Sequence, residues 1–134
     1  MNFEKAEDRK REYDVIKKIA GSNEIKKLER SSLDYEIVGK AFIEIKCYNI
    51  NHDQYTHTMV SIQKLVKMQL MSKRLPTFLF IQFNDLLRYI NVNDIEGKLR
   101  RSGRKPRKGS TNDIEFIGYV CIKKFKTFNK NITP

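Results

Sequence analysis

Acidic residues are scarce in this chain. Its 134 residues hold 16 Asp and Glu against 27 Lys and Arg, a formal net charge of +11. A protein so charged seeks polyanions, with nucleic acid the first candidate and an anionic membrane surface the second. Cysteine and histidine are scarcer still. Cys47 and Cys121 cannot form a disulfide framework, and His52 and His57 are too few to complete a zinc cluster with them, so both cysteines read as ordinary strand residues. No apolar run approaches the ~20 residues of a membrane span. The opening residues MNFEKAEDRKREYD are charged throughout, unlike a secretory signal. The expectation is an intracellular, cytoplasmic protein with no membrane partner and no small-molecule cofactor. Its length fits one domain over residues 1–134 with one core, and no internal repeat is present.

Glycine and proline are missing from residues 3–20, a stretch rich in helix formers that runs into Gly21. That pattern predicts a first helix with a glycine stop. Residues 23–30 read equally as strand or loop. Residues 33–38 and 41–48 alternate with period two about Gly39, as a hairpin does. Residues 55–60 favour a strand, after which Ser61 caps a helix predicted over 62–73, ending before Pro76. The nearly continuous apolar run TFLFIQF, residues 77–83, suits a central strand covered on both faces. Further strands are expected at 86–92 and 114–125.

Between Glu96 and Asp113 there is no acidic residue at all, whereas Lys98, Arg100, Arg101, Arg104, Lys105, Arg107 and Lys108 all fall there. With Gly97, Gly103, Pro106 and Gly109 among them, this reads as a basic loop or long hairpin tip at about 97–112. Seven cations without a counter-charge suit a phosphate backbone, because binding it releases condensed counterions.

The few carboxylates are placed oddly. In the segment LDYEIVGKAFIEIKCYN, Asp34, Glu44 and Lys46 interrupt the most sheet-like part of the chain. Alternation sets Phe42, Glu44, Lys46 and Tyr48 on one side of their strand and Ala41, Ile43, Ile45 and Cys47 on the other. A two-residue turn would lay the apolar set of one strand beside the charged set of its partner. A three-residue loop, Val38-Gly39-Lys40, pairs Ile37 with Ala41 and Asp34 with Glu44, leaving Leu33, Tyr35, Ile37, Ala41, Ile43 and Ile45 on one apolar face. Carboxylates facing each other across strands repel. A divalent cation relieves that repulsion, Mg²⁺ being suited to a few carboxylates, water and substrate phosphate, and Lys46 would then stand beside the attacking water. The same residues also read as a salt-bridged polar face in which Lys46 neutralises Asp34. On the first helix, Glu12 precedes Val15, Ile16 and Ile19 by three, four and seven residues, inside the apolar stripe. It either snorkels at the rim of that stripe or reaches the same site; Glu7 points away, and Asp8 lies near the stripe's edge.

A helix bearing Glu, a strand with Asp and a strand with Glu-x-Lys, followed by a helix and more strands, resembles the PD-(D/E)XK nuclease superfamily. Its small members similar to Holliday-junction resolvases and phage-encoded nucleases look closest. Glu12 matches the helical carboxylate, Leu33-Asp34 the PD element with leucine in place of proline, and Glu44-Ile45-Lys46 the (D/E)XK element, over roughly residues 3–92. The resemblance implies an α/β restriction-endonuclease-like fold, a mixed sheet flanked by helices with an αβββαβ core. It implies a metal-dependent DNA endonuclease, selective for branched DNA in some members. Asp34, Glu44 and Glu12, with the Ile45 carbonyl, would hold Mg²⁺ or Mn²⁺, and Lys46 would act on water. Gln63 or Lys64 of SIQKL would supply the later helix's contact to the site or to phosphate. Lys64 and the basic segment would grip the DNA backbone, and junction cutting would require a homodimer. Neither histidine is placed as the metal ligand of cap-snatching viral endonucleases, which disfavours an RNA-directed site of that type. Two rivals remain: a non-catalytic nucleic-acid-binding module of the same fold, and a basic protein that docks on RNA or a ribonucleoprotein.

Overall fold

In the computed structural model, residues 3–28, 33–95, 97–103 and 114–129 are described, with side chains at 9–28, 33–95 and 118–129. The chain runs through helix α1 (Phe3–Ala20), strands β1 (Ile25–Lys27), β2 (Tyr35–Ile37), β3 (Ala41–Cys47) and β4 (His57–Ser61), helix α2 (Ile62–Met71), and strands β5 (Thr77–Gln82), β6 (Leu87–Asn91), β7 (Gly97–Gly103), β8 (Ile114–Cys121) and β9 (Lys126–Thr127). Six strands form one sheet in the order β1-β2-β3-β5-β6-β9, and β4-β8-β7 form a second. In the larger sheet β3 and β5 run parallel and their other neighbours antiparallel. A mixed sheet with a helix on each side is the α/β restriction-endonuclease-like arrangement.

α1 stops where the sequence places its glycine. Gly21 takes φ +60°, a conformation costly for residues with a Cβ, and its N–H closes the last turn on the Lys17 carbonyl at 3.0 Å. Val15, Ile16, Ile19 and Ala20 press onto one face of the large sheet, against Tyr35, Ile37, Ala41, Ile43, Ile45 and Phe80. The opposite face carries Phe42, Leu79, Ile81 and Ile90, covered by Met68 of α2 and by Val60 and Val120 of the second sheet. β5 is therefore buried on both sides, as its unbroken apolar run requires. Each such fully buried side chain contributes roughly 1.5–3 kcal/mol.

The β2–β3 hairpin has the register that keeps its apolar residues together: Ile37 pairs with Ala41, Glu36 with Phe42 and Tyr35 with Ile43. Gly39 makes this loop possible, with φ +72°, while Lys40 N–H reaches the Ile37 carbonyl at 2.8 Å and Gly39 N–H the Glu36 carboxylate at 3.1 Å. Leu33 departs from the expected apolar face. The strand begins only at Tyr35, and the irregular backbone before it turns Leu33 into the cluster with Phe42 and Val60.

Three further expectations change. The ambiguous residues after α1 form edge strand β1, held by pairing with β2. The expected basic loop is strand over its first part, since Gly97–Gly103 pairs along its length with Ile114–Cys121. The β-formers of β8 supply a ladder that composition on the other side does not reveal. Arg104, Lys105, Arg107 and Lys108 lie outside the described residues. The last strand is interrupted at residues 122–124 by a turn of 3₁₀ helix that sends β9 back to the large sheet. Among the described residues, no helix is long and apolar enough to cross a membrane.

Candidate active site

The strands and α2 bring four of the singled-out side chains together on the α2 side of the sheet. Asp34 ends the irregular approach to β2, and its Oδ2 accepts the Ile45 N–H at 2.8 Å. A carboxylate thus continues the hairpin ladder one step beyond the last paired backbone and is pinned opposite Glu44. Glu44 is 2% exposed. Its Oε1 accepts from Lys64 Nζ at 2.6 Å, while its Oε2 is buried with no hydrogen-bond partner. Lys46, on the same side of β3, sends its Nζ to the Met59 carbonyl of β4 at 3.2 Å.

Burial and the neighbouring Asp34 charge push the Glu44 carboxyl up to about 7, against the pull of Lys64 and Lys46. Burial also raises Asp34, opposed by the Ile45 N–H and by Lys64 and Lys27. The two carboxyl groups are close enough to hydrogen-bond when one is protonated, so they titrate as a pair. A buried and a half-buried carboxylate with one oxygen unsatisfied form a site short of positive charge.

The orphaned Glu44 Oε2 tests the fit of a divalent ion. An all-oxygen donor set from two carboxylates suits Mg²⁺ or Mn²⁺, which hold few protein ligands and complete their shells with water and phosphate. The residues present fit such an ion.

The remaining candidates are placed as follows. Glu12 is half-buried on the α1 side. Tyr35 is pushed up by burial first, then by the charges of Glu12 and Asp34, so its hydroxyl feels both carboxylates. The side chains of Glu7 and Asp8 lie outside the described ones. Of Gln63 and Lys64, Lys64 is the one that touches a carboxylate; Gln63 is exposed. Of the basic segment, Lys98, Arg100 and Arg101 sit on β7.

The sequence offers Gln63 or Lys64 as the contact from α2 to the site or to phosphate; that Lys64 pairs with Glu44 itself was not foreseen, although a signal for it exists. Ser61 caps α2 through the Lys64 N–H at 3.2 Å, which makes Lys64 the third helical residue. A glutamate commonly stands there to complete a capping box, and a cation at that end opposes the helix dipole. Such a lysine calls for a carboxylate beyond its own helix. Lys27 on edge strand β1 is a residue that sequence reasoning missed, exposed and acting on Asp34.

A family model described as "Phage putative PDDEXK endonuclease" matches residues 1–128. The chain belongs to this PDDEXK endonuclease family. The match spans α1, the Asp34 and Glu44-Ile45-Lys46 elements, α2 and both sheets. No curated protein matches the chain.

Among the described residues of this PDDEXK family member, half-buried His52 and exposed Asp53 and Asp85 bring three side chains of metal-ligating type together. Asp85 accepts from the His52 backbone N–H at 2.9 Å and meets its ring Nδ1 at 2.5 Å. The contact ties the loop after β3 to the turn after β5.

Proposed function

We propose that the protein is a metal-dependent endonuclease that hydrolyses DNA phosphodiester bonds, with Asp34, Glu44 and Lys46 at its centre. The observation that carries this reading is buried Glu44, with one oxygen unsatisfied, set beside half-buried Asp34 and a lysine on the same strand face. Asp34 and Glu44 would hold Mg²⁺ or Mn²⁺, joined by the Ile45 carbonyl; Glu12, on the α1 side, is not brought to them. When bound, the ion supplies positive charge to the phosphate and acidifies water. Lys46 carries its ammonium on a half-buried stem beside Glu44, where it orients the attacking water and offsets charge developing on phosphorus. Asp34, held by the Ile45 N–H, keeps its carboxylate fixed throughout. Lys64, Lys27 and the Lys98 to Lys108 segment bind phosphates flanking the cut and set register without reading bases. The whole chain acts as one domain, and cutting of branched DNA such as a four-way junction would use a homodimer with two such sites.

The Lys64–Glu44 ion pair also favours a second reading, a nucleic-acid-binding module in which the carboxylates are structural. Incubation with linear, single-stranded and four-way-junction DNA in Mg²⁺, Mn²⁺ and EDTA separates the two. Metal-dependent cutting is expected, with the preferred substrate giving the structure selectivity. Binding without cutting under all conditions would establish the module instead.

A further inference from the structure

We infer that Lys64 is the resident counter-ion of Glu44 and competes with the divalent ion for that carboxylate, so that metal entry requires Lys64 to let go. This rests on the metal-site reading above. The pair is unequal: the Glu44 side chain is 3% exposed, the Lys64 side chain 29% exposed. Glu44 is fixed in the middle of β3, paired with Leu79 of β5 on one side and next to Ile45, whose N–H is held by the Asp34 carboxylate on the other. Lys64 stands on the first turn of α2 with part of its stem in solvent, and a four-carbon side chain can swing outward without moving the helix. Glu44 offers Oε1 to Lys64 and leaves Oε2 unsatisfied. One ammonium therefore covers one oxygen of a carboxylate pair, which is less positive charge than the pair can take.

Lys46 does not fill the same role, because its Nζ is directed to the Met59 carbonyl. The position of Lys64 is set independently of any metal. Ser61 caps its N–H, and Leu65 beside it lies over Gly118 of β8, where a Cβ would stand 2.6 Å from Leu65 Cδ1. α2 is thus seated on the second sheet with Lys64 aimed at Glu44. Displacing one ammonium from one carboxylate costs about what a charge-assisted hydrogen bond contributes, which corresponds to roughly tenfold or more in metal affinity.

The test is Mn²⁺ binding by calorimetry, at constant pH and salt, to the parent, Lys64→Gln, Lys64→Arg and Lys67→Gln. Lys67 is exposed on the next turn of the same helix and controls for general charge. Lys64→Gln is expected to bind Mn²⁺ about tenfold tighter than the parent, with Lys64→Arg no tighter and Lys67→Gln unchanged. Equal or weaker binding by Lys64→Gln overturns the inference, as does an equal gain in Lys67→Gln. Should Lys64→Gln not fold without metal, Lys64→Arg decides, and binding tighter than the parent overturns the inference. Cleavage by the parent distinguishes the two levels. A parent that cuts DNA in Mn²⁺ while Lys64→Gln binds no tighter refutes the counter-ion role alone, whereas absence of Mn²⁺ binding in every variant refutes both.

Discussion

Asp34 Oδ2 accepts the backbone N–H of Ile45 at 2.8 Å. This bond couples the two halves of the motif, because the residue between Glu44 and Lys46 holds the carboxylate that faces them. Asp34→Asn retains an acceptor there and loses the charge; Asp34→Ala loses both. Both should abolish cutting. In metal-free buffer the Asn variant should melt at or above the parent temperature, and the Ala variant should fall below Asn by roughly 1 kcal/mol. Cutting by Asp34→Asn at the parental rate would remove Asp34 from the site.

The carboxylate pair predicts an unusual pH dependence of stability without metal. The folded-state value of Glu44 lies near 7, above its ordinary 4.5, so between those values the folded protein keeps a proton that the unfolded chain has released. Stability then falls as pH rises through that window, by up to ~1.4 kcal/mol per unit and at most roughly 3–4 kcal/mol in total, and is flat above it. Glu44→Gln removes this slope. Denaturant melts of both proteins from pH 4.5 to 8 give the difference directly, and parallel curves would contradict it.

Much of this arrangement was legible in the chain, and the reasons differ by element. The α1 boundary follows from Gly21, the hairpin register from keeping Tyr35, Ile37, Ala41, Ile43 and Ile45 on one side, and the central place of β5 from its apolar run. These are local patterns with a single buried solution. The second sheet was hidden because β7 owes its strand to β8, whose first residue comes eleven positions after its last. Leu33 was assigned to the wrong side because alternation was extended past the end of β2. The sequence offers Lys64 beside Gln63 as the contact from α2 to the site, but its pairing with Glu44, twenty residues away on another element, is hinted at only by the reversed capping pattern of α2.

Gly39 should be the weak point of the register. Its φ of +72° strains any residue with a Cβ even though nothing crowds the position. Gly39→Ala should cost ~1–2 kcal/mol by denaturant melt. Cutting should persist in the fraction that remains folded, because Asp34 and Glu44 keep their pairing.

The basic segment should supply affinity. If about four of Lys98, Arg100, Arg101, Arg104, Lys105, Arg107 and Lys108 meet phosphates, neutralising those four flattens log affinity against log salt by about 3.6 units. Cutting at saturating protein should change little. An unchanged slope would route the DNA elsewhere, and lost cutting at full affinity would make the segment part of the site.

Lys46 carries the central claim, since its Nζ contacts only the Met59 carbonyl among the hydrogen bonds of the described residues, whereas its assigned work is on water and phosphate. The decisive measurement is single-turnover DNA cleavage in Mn²⁺ by the parent and Lys46→Ala, each at saturating protein, with melting and DNA binding measured alongside. The expected result is cutting by the parent that EDTA abolishes, and a loss of about a hundredfold or more in Lys46→Ala at nearly parental stability and affinity. Parental cutting by Lys46→Ala, or parental cutting that survives EDTA, would contradict the proposed site.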